Sequence, residues 1–189
     1  MLILASQSPR RAELLKQIGI PFSQYSVDID ETVLPDEDPL KYVRRMAQEK
    51  SSLGYEKGGT NKIVIGSDTI VVAQGCILGK PKDKTDAIRM LNMLSDNTHQ
   101  VFTAVTVTNA KQQKTLVVET QVCFGPLSTQ QMTWYWHTGE PQDKAGGYGI
   151  QGLGGQFVKH INGSYSAVVG LPLYQTRMLL TEFGIINEC

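Results

Sequence analysis

Residues 63–72 form the most apolar run of the chain, and this run constrains the fold most strongly. It reads Ile-Val-Ile-Gly-Ser-Asp-Thr-Ile-Val-Val. A near-continuous apolar run of this length is typical of a central strand that is covered on both faces. Such strands occur in α/β proteins, in which helices pack on both sides of a sheet. The sequence therefore predicts an α/β fold built around this strand.

Strand and helix patterns alternate along the rest of the chain, which supports this class. Strands are predicted over residues 2–5, 22–27, 100–108 and 116–124, and helices over 9–18, 39–53, 84–94, 128–137 and 172–183. Asn162 and Gly163 lie between two apolar segments and predict a β-hairpin. Consecutive strands without helices indicate a mixed sheet. We expect one domain over residues 1–189, in which residues 100–138 could form a lobe beside a ligand-binding cleft.

The segment from Ser6 to Arg11, between the first strand and the first helix, points to an anion. Ser8 is placed to cap the helix, and Pro9 suits its first position because the missing N–H costs nothing there. Backbone N–H groups and the positive end of the helix dipole therefore face the loop. Arg10 and Arg11 oppose that dipole, and a bound phosphate would resolve the conflict. The alternative is that both arginines are merely solvated on a surface helix.

Asp68 interrupts the apolar run, where an unpaired carboxylate is energetically expensive. Such a residue is usually held by hydrogen bonds, a metal or a cation, and burial would raise its pKa towards that of a useful base. It could equally cap a strand end by accepting backbone N–H bonds. Gly66 permits the close approach of a backbone or a ligand beside Asp68, which favours a functional role.

Two lysines and a glycine-rich segment are further candidates. Lys80 follows a hairpin-like Gln-Gly pair and lies in Gly-Lys-Pro-Lys, whose residues fix the backbone. Lys50 is expected to end the second helix, where a cation suits the dipole, so it has a structural explanation. Residues 143–152 are too rich in glycine for regular structure, and their N–H groups could converge on a ligand. They match neither the Rossmann nor the Walker pattern.

Composition argues against several classes of function. Eighteen basic residues balance eighteen acidic ones, so no global field would draw the chain to nucleic acid or an anionic membrane. The first residues lack the basic region of a signal peptide, and no stretch approaches the length of a membrane span. Cys76, Cys123 and Cys189 are widely spaced, which indicates a reducing cytosol with neither disulfides nor a zinc site. Cys189 is expected to be exposed.

Taken together, the motifs resemble those of the Maf-like nucleoside triphosphate pyrophosphatases nearly from end to end. The matching segments are residues 4–11, 13–15, 30–31, 47–50, 66–71, 79–81, 143–152, 162–165 and 169–172. Gly-Ile-Gln-Gly at 149–152 is similar to the branch that acts on dTTP and UTP rather than 7-methyl-GTP. Ser67 and Gly147 depart from the alanines that are common at their positions. Gln7 is larger than usual and could narrow the phosphate loop.

The resemblance implies roles for particular residues. Asp68 would be the general base, and Glu31 with Asp68 would place a divalent cation, Mg²⁺ or Mn²⁺. Base selectivity would depend on Arg10, Thr69 and Gln151. The side chains implied to hold the triphosphate are Ser6, Ser8, Arg11, Lys50 and Lys80.

The resemblance also implies a fold and an activity. The family fold is an α/β structure with a long, curved mixed sheet flanked by helices, a central cleft and commonly a homodimeric state. The implied activity is cytoplasmic hydrolysis of dTTP, UTP and 5-modified uridine triphosphates to the monophosphate and pyrophosphate. Water held by Asp68 and polarised by the metal would attack the α-phosphorus. Neither nucleic acid nor a membrane is expected as a partner. The alternative is a nucleotide-binding regulator of cell division or septation without turnover.

Overall fold

The computed structural model describes residues 1–59 and 61–187, so the expectation for Cys189 concerns a residue outside this part of the chain. The strands are β1 (Leu2–Ala5), β2 (Phe22–Tyr25), β3 (Ile63–Ala73), β4 (Cys76–Leu78), β5 (Thr98–Thr108), β6 (Gln113–Phe124) and β7 (Val158–Asn162). The α-helices are α1 (Pro9–Lys16), α2 (Pro39–Gly58), α3 (Lys84–Leu94), α4 (Thr129–His137), α5 (Tyr165–Val169) and α6 (Leu173–Glu182). Short 3₁₀ helices cover Glu140–Asp143, Ala145–Gly147 and Leu153–Phe157. Within the described ranges, no helix combines the length and apolar character needed to cross a bilayer.

The strands of the described residues form one mixed sheet of seven strands. Their order is β2–β1–β3–β5–β6–β7, and β4 pairs with β3 off this path. β1 is parallel to β2 and β3, whereas β4 is antiparallel to β3 and β7 is antiparallel to β6. β3 lies inside the sheet and is almost entirely buried. The predicted mixed α/β sheet, with this apolar run at its centre and helices around it, is confirmed.

The chain forms two compact units. Among the described residues, the first contains 1–59, 61–68, 103–118 and 170–187, and the second contains 69–102 and 119–169. Residues 100–138, considered above as a lobe, fall partly in each unit. The assignment of one domain to the whole chain stays a prediction.

Helix α2 packs directly on the strands of the first unit because glycine removes a side chain at the contact. A Cβ atom on Gly54 would lie 2.6 Å from Cβ of Ala5 and 2.9 Å from Cγ1 of Val64. Ser51 reinforces the contact, since its hydroxyl lies 3.1 Å from the carbonyl oxygen of Val64 and 2.7 Å from Oγ1 of Thr108. The position of α2 on the sheet is therefore fixed by both shape and hydrogen bonds.

An aromatic cluster surrounds His99 in the core of the second unit. The His99 ring lies edge-on to Phe124 and Tyr148, with ring centroids 5.1 and 5.4 Å away. Its Nε2 lies 2.8 Å from the Tyr148 hydroxyl, whereas its buried Nδ1 has no hydrogen-bond partner among the described residues. Burial lowers the pKa of His99 to about 4. The imidazole is therefore neutral at neutral pH.

The predicted hairpin at Asn162 and Gly163 is wrong, because α5 follows this pair in place of a strand. Gly163 has a φ of 133°, and a Cβ atom there would lie 3.0 Å from Cα of Thr120 in the neighbouring strand. The glycine thus permits close approach to β6. Ser164 then accepts the N–H of Ala167 at 3.2 Å and starts the short helix.

The sequence patterns at helix ends predicted the bounds of some helices more accurately than those of others. Helix α3 spans the predicted residues 84–94, and the predicted capping box at the start of α4 is present. Helix α2 begins after Asp38 as predicted but continues to Gly58, beyond the predicted end at about Leu53. The pair that ends α2 is Gly58–Gly59, and Gly59 has a positive φ of 76°.

The depressed pKa of His99 predicts a loss of stability in mild acid. The unfolded chain binds a proton at this imidazole below its ordinary pKa of 6.5, whereas the folded chain binds it only near 4. The free energy of unfolding should therefore fall by up to about 3 kcal/mol as the pH decreases between these values. Urea titrations across this pH window measure the slope. His99→Gln should flatten it, and an unchanged slope would contradict the assignment.

Candidate active site

The loop between β1 and α1 is organised by its own serine side chains. Ser8 caps α1 by accepting the N–H of Arg11 at 3.4 Å, and Pro9 is the first helical residue, as predicted. The Ser6 hydroxyl oxygen accepts the N–H of Ser8 at 3.1 Å and Nη1 of Arg11 at 3.4 Å. Gln24 fixes the loop from β2 by donating to the Ser6 carbonyl at 2.7 Å. A hydroxyl that accepts in this way can still donate its hydrogen to an anion.

Arg11 is held by a backbone carbonyl from the segment between α5 and α6. Its Nε donates to the carbonyl oxygen of Gly170 at 2.9 Å. The buried Ser67 hydroxyl lies 3.1 Å from the same oxygen and 2.8 Å from the carbonyl oxygen of Ala104. Ser67 therefore helps to fix the Gly170 carbonyl that orients Arg11. Alanine is common at this position in the family that the sequence resembles.

The charges of the first unit act on one another at this site. Burial lowers the pKa of Arg11 below its ordinary value, and the neighbouring Arg10 adds to the decrease. Asp68 and Glu31 oppose it, because their negative charges favour the guanidinium form. The predicted base and the predicted phosphate-binding arginine thus belong to one electrostatic system.

Lys50 joins the two candidate carboxylates. Its Nζ lies 2.7 Å from Oδ1 of Asp68 and 2.7 Å from Oε1 of Glu31. Lys50 and Asp68 are each only 8% exposed. The expectation that Lys50 ends its helix is wrong, because α2 continues for two more turns and places this residue in its middle. A cationic partner therefore explains the charge inside the apolar strand.

Gly66 is the residue that lets Lys50 reach Asp68. A Cβ atom at this position would lie 2.4 Å from the carbonyl oxygen of Ala47 and 2.5 Å from the backbone nitrogen of Ser51. Both atoms belong to α2, on either side of Lys50. The predicted close approach at Gly66 is an approach of helix backbone to strand, and its effect is to bring the ammonium to the carboxylate.

Tyr42 and Arg45 hold the loop that carries Glu31, and neither was predicted from sequence to have this role. The Tyr42 hydroxyl donates to the carbonyl oxygen of Glu31 at 2.8 Å. Arg45 donates to the carbonyl oxygen of Thr32 at 3.0 Å and makes two bonds of 2.7 Å to Glu37. The bonds from Arg45 lower the pKa of Glu37 to about 2. An arginine following an acidic loop is the sequence signal that could have suggested this pairing.

The candidate residues are distributed over both units. Those in the first unit are Ser6, Ser8, Arg10, Arg11, Glu31, Lys50 and Asp68, and those in the second are Thr69, Lys80 and Gln151.

Lys80 follows the β3–β4 hairpin, whose turn residues Gln74 and Gly75 both have positive φ, as the sequence suggested. The N–H of Gly146 donates to the carbonyl of Gly79 at 3.0 Å. This bond ties the glycine-rich segment to the backbone beside Lys80.

The carboxylates of Glu31 and Asp68 fit a divalent cation in chemistry. Both contact one ammonium group, so the first unit already holds a positive charge between two hard oxygen donors. Among residues 1–59 and 61–187, no group of three or more His, Cys, Asp or Glu side chains could hold a metal. Two protein carboxylates completed by phosphate and water are the usual environment of Mg²⁺ at nucleotides.

The model of the Maf-like protein family matches residues 1–183. The chain belongs to the Maf-like family. A dTTP/UTP pyrophosphatase from Pseudoalteromonas atlantica is 56% identical over 192 residues, covering 100% of both chains. One from Vibrio vulnificus is 53% identical over 182 residues, covering 96% of this chain and 98% of its own. The structure of a HAM1 protein from Coxiella burnetii is similar in fold, with 16% identity, a TM-score of 0.50 and coverage of 96% and 98%.

In this Maf-like protein, Gly66→Ala should disrupt the Lys50–Asp68 contact. The new methyl group would meet two backbone atoms of α2 at 2.4 and 2.5 Å, and neither can rotate away. We expect a loss of roughly 1–3 kcal/mol in the free energy of unfolding, measured by urea titration. Gly79→Ala is the control, because its Cβ atom would meet nothing within 4 Å. Equal stability of the two variants would contradict the steric argument.

Proposed function

We propose that this Maf-like protein hydrolyses dTTP and UTP, and also 5-modified uridine triphosphates, to the nucleoside monophosphate and pyrophosphate. The observation that carries the proposal is the buried Asp68, bonded to Lys50 at 2.7 Å in the unit that also holds Arg11. A base and polyphosphate-binding cations are what such a reaction needs. The two relatives described above, both dTTP/UTP pyrophosphatases, support the choice of substrates. The activity would cleanse the nucleotide pool.

Asp68 is the proposed general base. Lys50 bonds to Oδ1 of this carboxylate, so we assign Oδ2 to the proton of the attacking water. The water oxygen forms a bond to the α-phosphorus. The bond from the α-phosphorus to the oxygen that bridges it to the β-phosphorus breaks. Pyrophosphate leaves with the electron pair of that bond, and the monophosphate remains.

The phosphates are assigned to the loop before α1 and to the lysines. Arg11 is fixed by Gly170 and by the Ser6 hydroxyl, so its guanidinium group needs little reorganisation when an anion binds. The hydroxyl groups of Ser6 and Ser8 can donate to phosphate oxygens. Lys50 and Lys80 would neutralise charge that develops on the leaving group.

Glu31 and Asp68 are the residues proposed to hold Mg²⁺ or Mn²⁺. When bound, such an ion supplies charge neutralisation at phosphate and lowers the pKa of water. Tyr42 and Arg45 hold the backbone of the Glu31 loop, which supports its assignment as a ligand at a fixed position.

Gln151 is the proposed reader of the base, with Arg10 and Thr69 tuning selectivity. An amide can accept from the N3–H of uracil or thymine and donate to a carbonyl. Cytosine carries an acceptor at N3, so the amide would have to flip. Thymine and uracil differ by one methyl group, which a pocket separates by only ~1–3 kcal/mol. Acceptance of both is therefore expected.

A homodimeric state and a cytoplasmic location belong to the same proposal. The free thiols of Cys76 and Cys123 suit a reducing compartment,. The alternative function, a regulator of division or septation that binds nucleotides without turnover, is not favoured, since the similar curated relatives have enzyme names.

Pyrophosphate release from dTTP, UTP, CTP and GTP with Mg²⁺ or Mn²⁺ tests the proposal. Turnover of dTTP and UTP above CTP and GTP supports it, and binding without turnover would indicate the regulator.

Asp68→Asn should abolish most catalysis and leave the fold intact. The amide oxygen can still accept from Lys50, but the amide cannot take a proton from water. Pyrophosphate release from dTTP should fall by ~10²–10⁴-fold. Asp38→Asn is the matched control, because asparagine caps a helix as well as aspartate does. Near-normal turnover by Asp68→Asn, with an unchanged circular dichroism spectrum, would refute the role of Asp68 as the base.

Gln151→Ala should reduce selectivity more than turnover. Removal of the amide takes away the contact that distinguishes the pyrimidine edges, so the ratio of kcat/KM for dTTP to that for CTP should fall by at least ~10-fold. Because Gln151 is exposed, its truncation should leave the free energy of unfolding unchanged. The ratio of kcat/KM for UTP to that for CTP, measured in the same assay, gives a second comparison. An unchanged preference for dTTP would exclude Gln151 as the reader.

A further inference from the structure

Gln151 lies in a segment whose backbone has little intrinsic order. Residues 149–155 read Gly-Ile-Gln-Gly-Leu-Gly-Gly, and four glycines in seven residues leave many conformations accessible,. The Gln151 side chain is exposed. A side chain that distinguishes two hydrogen-bonding edges needs a fixed backbone beneath it, because the distances of its hydrogen bonds depend on where its Cα atom is held.

Glu140 supplies that fixed point from within the same unit. Its Oε2 accepts the N–H of Leu153 at 2.8 Å, and its Oε1 accepts the N–H of Gly154 at 3.0 Å. The Tyr135 hydroxyl donates to Oε1 at 2.7 Å and accepts the N–H of Gly149 at 3.1 Å. The hydrogen bonds therefore hold the segment on both sides of Gln151.

The glycines of the segment allow it to close on these groups. A Cβ atom on Gly152 would lie 2.3 Å from Oε2 of Glu140, and one on Gly154 would lie 2.4 Å from the Tyr135 hydroxyl. Each distance is too short for a real side chain. The composition of the segment is thus matched to this carboxylate and this hydroxyl, in addition to any ligand.

The two anchoring side chains are themselves well supported. Tyr135 is fully buried, and its ring meets Phe157 edge-on at a centroid distance of 5.0 Å. Lys144 donates to the backbone carbonyl of Glu140 at 2.9 Å. Burial of Glu140 opposes ionisation, but the bonds from Gly154, Tyr135 and Leu153 lower its pKa below the ordinary value. The carboxylate is therefore ionised at neutral pH and accepts from all of these donors.

We propose that Glu140, acting with Tyr135, is a positioning residue for base selection: it fixes the backbone of residues 149–154 so that the Gln151 side chain starts from one fixed position beside the pyrimidine. This inference rests on the proposed reading of the base by Gln151. In this role Glu140 makes no contact with the reacting atoms. Its loss should therefore raise KM for dTTP and reduce selectivity, with a smaller effect on kcat.

Glu140→Gln tests the inference at constant side-chain size. The new amide NH₂ group cannot accept an N–H, so at least one anchor of the segment is lost. Amide hydrogen exchange at Leu153 and Gly154 should become faster, and the ratio of kcat/KM for dTTP to that for CTP should fall by ~10-fold or more. Glu119→Gln, an exposed carboxylate of the same unit that bonds to Gln100, is the matched control and should change neither.

Tyr135→Phe keeps the test decisive if Glu140→Gln does not fold, because it removes only the hydroxyl that links Glu140 to Gly149. Gln151→Ala, assayed in parallel, separates the two levels of the proposal. Reduced selectivity in both Gln151→Ala and an anchor variant supports the inference. Reduced selectivity in Gln151→Ala alone, with faster exchange in the anchor variant, overturns the positioning role. Unchanged selectivity in every variant overturns the reading of the base by Gln151 and the positioning role together.

Discussion

The contact of the Lys50 ammonium with Asp68 and Glu31 is the interaction on which the first unit depends. A carboxylate inside an apolar strand is unstable without a partner. The partner comes from the middle of a helix, and it reaches the strand because Gly66 and Gly54 leave room for the helix backbone. Fold and chemistry therefore share one constraint: the packing that buries α2 also brings the Lys50 ammonium to the Asp68 carboxylate.

Both units stabilise a loop in the same physical way. In the first unit, Tyr42 and Arg45 bond to the backbone of the Glu31 loop. In the second, Tyr135 and Glu140 bond to the backbone around the proposed base-reading residue. In each case a tyrosine hydroxyl and an ionised side chain take up the polar groups of a segment that lacks regular structure. Such support reduces the reorganisation that ligand binding would otherwise require.

The sequence predicted those features that depend on neighbouring residues. The cap at Ser8, the bounds of α3 and the central strand follow from local patterns, and the structure confirms them. The setting of Lys50 was mispredicted, because its burial depends on a contact with a strand distant in sequence. Asn162–Gly163 has the composition of a hairpin turn, but its conformation is decided by the approach to β6. The anchoring role of Glu140 was missed for the same reason, since its partners are 13 and 14 residues away.

The double engagement of Lys50 reconciles two assignments that otherwise conflict. The resemblance assigns this lysine to the triphosphate, whereas the structure has it bonded to two carboxylates. Its charge is largely offset there, because two negative groups face one positive group. In the proposed reaction, Asp68 and Glu31 would hold a divalent cation, whose charge would balance the two carboxylates. The Lys50 ammonium would then be available to bind the phosphates. Metal and nucleotide would then favour each other's binding, since each removes a charge that opposes the other. The buried ion pair is thus the arrangement, without ligand, of the charges that the proposed reaction would use.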